Sequence, residues 1–164
     1  MKKSNFLIFL TTILLFGICL SPMLAKASPA QKLNFFAVEV IAQPPEYTPE
    51  ITGIVIHFRD YHDIHSLTGF IEGESISGYT ESFFHVIDNQ NGKVVCNGDS
   101  YMYLTWGDLE GYFYGKKVIE VIDGVLTGRY SLQGFGDFDG MKLIGIIYGN
   151  IIVNTFEATL LIPN

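Results

Sequence analysis

Between Glu50 and Ile162 the chain contains no proline, and no stretch of it carries a convincing helical apolar period. Proline cannot donate to a β-ladder, so its absence over such a length is what a continuous sheet requires. Cysteine is scarce too: Cys19 and Cys96 are the only two. Basic residues are few, with 10 Lys and Arg against 17 Asp and Glu and a formal charge of −7. Such a surface repels nucleic acid and anionic lipid. No Gly-x-Ser-x-Gly elbow and no phosphate-binding glycine loop is present, and Gly134-Phe135-Gly136 does not lead into a helix. A serine or cysteine triad and a dinucleotide site are therefore not indicated, and no cofactor is expected.

What is there begins with an N-terminal leader. Lys2 and Lys3 precede an apolar run from Phe6 to Leu20, followed by Ser21-Pro22 and Ala25-Lys26-Ala27. Basic, apolar, then small-x-small is the layout of a secretory signal peptide. The run is about 15 residues, short of the roughly 20 a membrane span needs. Residues 1–27 are expected to be removed, leaving 28–164 as one exported domain, secreted or periplasmic, without a stable membrane anchor. All 17 acidic residues but only seven basic ones lie in that part, so its charge would be 7 − 17 = −10. Cys96 would be its one cysteine, which excludes an intrachain disulfide; a buried apolar role is expected for it.

The domain reads as all-β. Leu33–Ala42 is β-branched and aromatic, and Gln43–Glu50, with Pro44, Pro45 and Pro49, reads as a loop. Further strand-like segments are Ile51–Asp60, Ile64–Glu72, Ile76–Ile87, Val94–Trp106, Glu110–Ile122, Val125–Gln133, Met141–Tyr148 and Ile151–Ile162, nine in total. Gly69, Gly78, Gly111, Gly115, Gly128 and Gly145 sit inside these segments. Interior glycines weaken a flat sheet but suit bulges and barrel corners, and closure removes edge strands. An antiparallel up-and-down β-barrel of about eight strands is the expected fold.

Two hairpins fix explicit registers. Asp123-Gly124 as a two-residue turn places Ile122 opposite Val125, Glu120 opposite Thr127 and Val118 opposite Arg129. Ile119, Val121, Leu126, Tyr130 and Leu132 then share one face, with Glu120, Lys116, Thr127 and Arg129 on the other. Gly149-Asn150 read the same way pairs Tyr148 with Ile151 and Lys142 with Glu157, and sets Leu143 against Phe156.

The C-terminal half carries further glycine–aromatic punctuation. Trp106-Gly107-Asp108-Leu109-Glu110-Gly111 is followed by Asp123-Gly124-Val125-Leu126-Thr127-Gly128. Then come Gly134-Phe135-Gly136-Asp137-Phe138-Asp139-Gly140-Met141-Lys142 and Glu157-Ala158-Thr159-Leu160. From about Leu67 to Ile162 this resembles the small barrels of allene oxide cyclases and dirigent proteins and their prokaryotic relatives. The resemblance implies an eight-stranded antiparallel barrel, often oligomeric, with an axial cavity. It carries no active site over to this chain, because the matching residues specify turns and corners rather than chemistry.

Candidate chemistry is sparse. His57, His62 and His65, with Asp60 and Asp63 among them, have a spacing that could ligate zinc, but a solvated polar loop accounts for them and no metal site is expected. Asp137 and Asp139 resemble the start of a calcium loop, yet Phe135 and Ile146 would fall on ligand positions. Glu39, Glu81, Glu120 and Glu157 each lie within an apolar strand, where an inward carboxylate would be an acid–base candidate. Glu81 alternates with Tyr79, Phe83 and His85, so Glu81 with His85 is the candidate catalytic pair. Tyr79, Phe83, Tyr101, Tyr103 and Trp106 are the candidate ligand-binding residues, with Tyr112 and Tyr114 adding to the same aromatic concentration.

Three functions follow as alternatives. The chain is an exported barrel that binds a small apolar or phenolic ligand or assembles with its own copies. Alternatively, it is an isomerase or cyclase acting in the barrel cavity, or a secreted interaction protein using its acidic outer surface. Whether the barrel axis holds an ionisable pair or only apolar filling discriminates the first two; a dry Leu/Ile/Phe-packed interior would sink both and favour the third.

Overall fold

Two-residue turns join most of the strands. Glu72-Gly73 and Asp123-Gly124 both have positive φ at each position (50° and 90°; 51° and 82°), the geometry whose twist matches antiparallel strands. A computed structural model describes residues 31–163, all of which belong to strands and their connections. The expected signal peptide, residues 1–27, lies outside the described residues.

Eight antiparallel strands form one closed barrel in sequence order: β1 (Gln31–Thr52), β2 (Val55–Ile71), β3 (Glu74–Asp88), β4 (Lys93–Trp106), β5 (Leu109–Ile122), β6 (Val125–Gly136), β7 (Lys142–Gly149) and β8 (Val153–Ile162). Pairing of Gln31–Val40 with Val153–Ile162 closes the ring. Each strand alternates buried and exposed residues, so each has an inner and an outer row.

The nine expected segments are eight strands, and the difference lies in the first third. The proline-bearing stretch expected as a loop is the second half of β1. The expected strand Ile51–Asp60 is broken by the turn at Gly53-Ile54, which leaves Ile51 and Thr52 in β1. Its remainder from Val55 merges with the expected strand Ile64–Glu72 across Tyr61–Asp63 into β2, which ends at Ile71. Past Val40, β1 no longer faces β8 and pairs with β2 alone, so prolines there remove no needed donor. Register shifts between Ile41 and Thr48, and between Phe58 and Tyr61 with Asp60 at φ 53°, bend this ribbon.

The six glycines flagged within strands all follow the inner row. A Cβ on Gly78 would lie 1.8 Å from the Tyr103 carbonyl oxygen, and one on Gly145 would lie 2.2 Å from that of Glu157. These strands approach so closely that only hydrogen fits, which lets the sheet coil tightly.

The Asp123-Gly124 hairpin has the expected register throughout, with Ile122 on Val125, Glu120 on Thr127 and Val118 on Arg129. The last hairpin does not. Lys142 pairs with Leu161, four residues beyond Glu157, and Tyr148 pairs with Thr155. Asn150 Oδ1 accepts from the backbone N–H of both Ile152 and Val153, which builds a longer loop than the two-residue turn. Because the shift is an even number, Leu143 and Phe156 still share one face, with Ile147 beside them, and that face is the buried one.

The interior divides along its axis. One end is filled by apolar side chains, with Phe138 from the β6–β7 connection fully buried and stacked on Phe113 at 5.1 Å. The opposite end, toward the turns at 53–54, 89–92, 123–124 and 150–152, is open.

Candidate functional site

Alternation places polar residues inside. On β1, Phe35 and Ala37 are inward, so Glu39 is as well; on β5, Phe113 and Ile119 are inward, and so is Lys117. Asp63 and His65 on β2, Thr80 and Ser82 on β3, Ser100 on β4 and Asn154 on β8 complete a buried polar layer across the barrel.

Glu39 is fully buried. Its Oε1 accepts a hydrogen bond from the Thr80 hydroxyl, and its Oε2 lies 3.5 Å from Lys117 Nζ. That distance makes an ion pair but is too long for a good hydrogen bond, so Oε2 has no donor. Lys117 Nζ also lies 5.0 Å from the ring centroid of Phe156 and 5.8 Å from that of Phe84. These cation–π contacts replace part of the hydration the ammonium has lost. His65 Nδ1 is 3.7 Å from Asp63 Oδ1, and Ser82 and Ser100 hydroxyls lie 3.1 Å apart.

Burial raises the Asp63 carboxyl above its ordinary range; Lys117 and His65 pull it back and Glu39 pushes it further. Burial also holds the Tyr130 phenol well above its usual value, with Glu39 adding to it. The Cys96 thiol is pushed up to about 12, first by burial and then by Asp63.

Above this layer opens a cavity of about 340 Å³. Cys96, Ile119, Val121 and Leu126 are among its walls, and Asp63, His65, Lys117 and Asn154 line its polar end. Tyr47, Phe58, Tyr61 and Phe84 give it an aromatic side, with Tyr47 stacked on Tyr61 at 5.9 Å and edge-on to Phe58 at 5.0 Å. The bent β1–β2 ribbon thus brings aromatic rings to the cavity that the straight strands alone would not supply.

The residues expected at a site lie elsewhere. Glu81 and His85 belong to the outer row of β3, since Thr80, Ser82, Phe84 and Val86 take the inner one. They do not meet: Glu81 Oε1 bonds to His62 Nε2 at 2.9 Å, and His85 Nε2 to His57 Nδ1 at 3.3 Å. Neither side chain faces the cavity, which corrects the expectation of an inward pair. Tyr79, Phe83, Tyr101 and Tyr103 are also outside, in a row of neighbouring rings where Tyr79 stacks on Tyr103 at 4.5 Å, Tyr103 is tilted to Tyr112 at 5.6 Å, Tyr112 stacks on Phe135 at 5.1 Å and Phe83 is edge-on to Tyr101 at 6.4 Å. Trp106 sits at the filled end, its Nε1 donating to Glu74 Oε2 at 2.8 Å. None of these five lines the cavity.

The three histidines of the first third separate as well. His62 and His65, three apart on one strand, face opposite sides of the sheet, and His57 is outside with His85. Asp137 Oδ2 accepts from the Glu110 N–H, and Asp139-Gly140 is a turn beside the buried Phe138. Glu120 bonds outside to Lys93 at 3.0 Å, and Glu157 to the Tyr148 hydroxyl at 2.7 Å. Of the four strand carboxylates, Glu39 alone is buried.

Lys117 and Asn154 were not singled out from the sequence as site residues; Asp63 and His65 entered only as part of a zinc-spaced cluster, and Tyr130 only as a member of one hairpin face. The signal for Lys117 was present: the Asp123-Gly124 register puts it on the same face as Ile119. No family model matches the chain, and no curated protein matches it.

Proposed function

We propose that the open end of the barrel binds a small, largely apolar molecule whose polar group reaches the buried polar layer. One observation carries this: an apolar-walled cavity of about 340 Å³ that ends on Asp63, His65, Lys117 and Asn154. Concave, mostly apolar sites with a few convergent polar groups, on the order of 300–1,000 Å³, are the usual form of a small-molecule pocket. Export through residues 1–27 belongs to the same proposal and rests on their basic, apolar and small-x-small order. The closed ring of eight strands supports the resemblance to allene oxide cyclase and dirigent barrels as a matter of architecture, not of chemistry.

Addition of Nile red, a neutral apolar dye, followed in amide proton–nitrogen spectra tests the reading. Perturbations are expected at Tyr61, Cys96, Ile119 and Leu126. Perturbations confined to Tyr79, Tyr103 and Tyr112 would move the binding site to the outer wall and end the cavity reading.

A second reading is isomerisation or cyclisation within the same cavity. Its support is the buried Glu39–Lys117 pair beside Asp63 and His65, which puts proton donors and acceptors where water is scarce. Loss of turnover in Glu39→Gln with ligand affinity retained is the outcome this reading expects.

A further inference from the structure

The buried polar layer is unbalanced, and the imbalance has a direction. Its side-chain atoms without a hydrogen-bond partner are Glu39 Oε2, Asp63 Oδ1, Asn154 Oδ1, the Tyr130 hydroxyl and both ring nitrogens of His65. Buried polar atoms in folded proteins are nearly always paired, so each of these marks a bond left for something else to make. The amide oxygen of Asn154 accepts only, and so do the carboxylate oxygens of Glu39 and Asp63 when ionised. Tyr130 and His65 can act either way. The Lys117 ammonium, the one obligate donor among these charged groups, is held in an ion pair with Glu39 at 3.5 Å and also lines the cavity. Among the unpartnered atoms, three are therefore obligate acceptors and none is an obligate donor.

Charge points the same way. Two buried carboxylates, Glu39 and Asp63, share this layer with one ammonium. An anionic group entering beside Asp63 and Asn154 would meet acceptor oxygens and add a further negative charge where water cannot screen it. A site rejects a molecule that leaves its buried polar groups unpaired more strongly than one that merely fits its apolar walls poorly.

We infer that the molecule bound in this cavity carries a hydrogen-bond-donating head, an alcohol or a primary amine on an apolar body, and that a carboxylate-headed molecule of the same length is rejected. Asp63 and Asn154, which both line the cavity and hold an unpartnered oxygen, receive that head, while Ile119, Val121 and Leu126 hold the body. The inference rests on the cavity reading proposed above.

Displacement of Nile red by 1-octanol, octylamine and octanoate at neutral pH tests it with the full folded domain. The alcohol and the amine are expected to displace the dye at concentrations at least ~10-fold below octanoate, a factor of ten being 1.4 kcal/mol. In Asp63→Asn, which keeps the shape and removes the charge, the amine-over-octanoate ratio is expected to fall at least ~5-fold. If that variant does not fold, Asn154→Leu serves instead, with a loss of at least ~5-fold in 1-octanol affinity expected. Octanoate displacing as well as or better than the other two overturns the inference and leaves the cavity reading standing. A folded Asp63→Asn or Asn154→Leu with unchanged selectivity overturns the assignment of the head to these residues. Failure of the dye and all three probes to bind removes the cavity reading and this inference with it.

Discussion

Lys117 Nζ stands 3.5 Å from Glu39 Oε2, although β5 and β1 lie four strands apart around the ring and neither pairs with the other. The contact therefore spans the barrel interior and ties opposite walls together. Both side chains are almost wholly buried, so neither has water to fall back on. Lys117→Met should strand the Glu39 carboxylate and cost about 3–5 kcal/mol in urea unfolding, whereas replacing both by apolar residues of similar volume should restore most of the loss. Equal destabilisation by the single and the double replacement would mean that the pair is not coupled.

Asp63 makes stability depend on pH. Its folded-state carboxyl is raised above the ordinary 3.8 because burial disfavours the charged form. The folded state therefore holds the proton more tightly than the unfolded chain. The contribution to stability is fully present below about 3.8 and is lost as pH rises through the folded-state value. Asp63→Asn carries no such titration, so its stability relative to the unsubstituted protein should grow from acid to neutral pH. Urea midpoints for both proteins at pH 3.5 and 7 would check this, and a gap that is constant or shrinks would contradict it.

Cys96 should be a slow thiol. Burial and the nearby Asp63 push it to about 12, so little thiolate exists near neutrality. Alkylation by iodoacetamide at pH 8 should run at least ~100-fold slower than for free cysteine, since the thiolate is the reacting form. A rate like that of free cysteine would show an accessible, activated group instead.

Inner-row glycines should be intolerant of any side chain. At Gly98 an added Cβ would lie 1.9 Å from the Phe83 carbonyl oxygen and 2.8 Å from Phe84 Cα, both backbone. At Gly107 nothing lies within 4 Å, and only its φ of 58° opposes a side chain. Gly98→Ala should therefore cost about 3 kcal/mol or more, or prevent folding, while Gly107→Ala costs about 1 kcal/mol. Comparable losses at the two sites in thermal unfolding would argue against the close strand approach.

How much of this was legible varies by element. The Asp123-Gly124 register was, because a two-residue turn with positive φ at both positions admits one pairing and each later pair follows from it. The last hairpin was not: whether Asn150 takes a turn position or caps a longer loop with its own side chain is decided by two hydrogen bonds that composition does not record. The proline stretch was misread because a β1 segment pairing on one side only, and bulged, has the composition of a loop. Glu81 and His85 were favoured because an aromatic row resembles a cavity lining. Their row lies outside, and the inner row of β3 holds the less conspicuous Thr80 and Ser82. Parity along β5 points to Lys117, but its partner across the barrel lies on a strand far away in sequence, and nothing local to β5 announces it.

The most direct test of the central claim, that the open end of the barrel is a ligand pocket, is fluorescence titration of Nile red into the protein and into Ile119→Trp. Ile119 is buried in the cavity wall, and a larger ring there occupies the space a ligand would take. One saturable site in the unsubstituted protein, with affinity at least ~10-fold weaker in a folded Ile119→Trp, is the predicted result. Equal binding by both proteins, or no saturable binding by either, would contradict it.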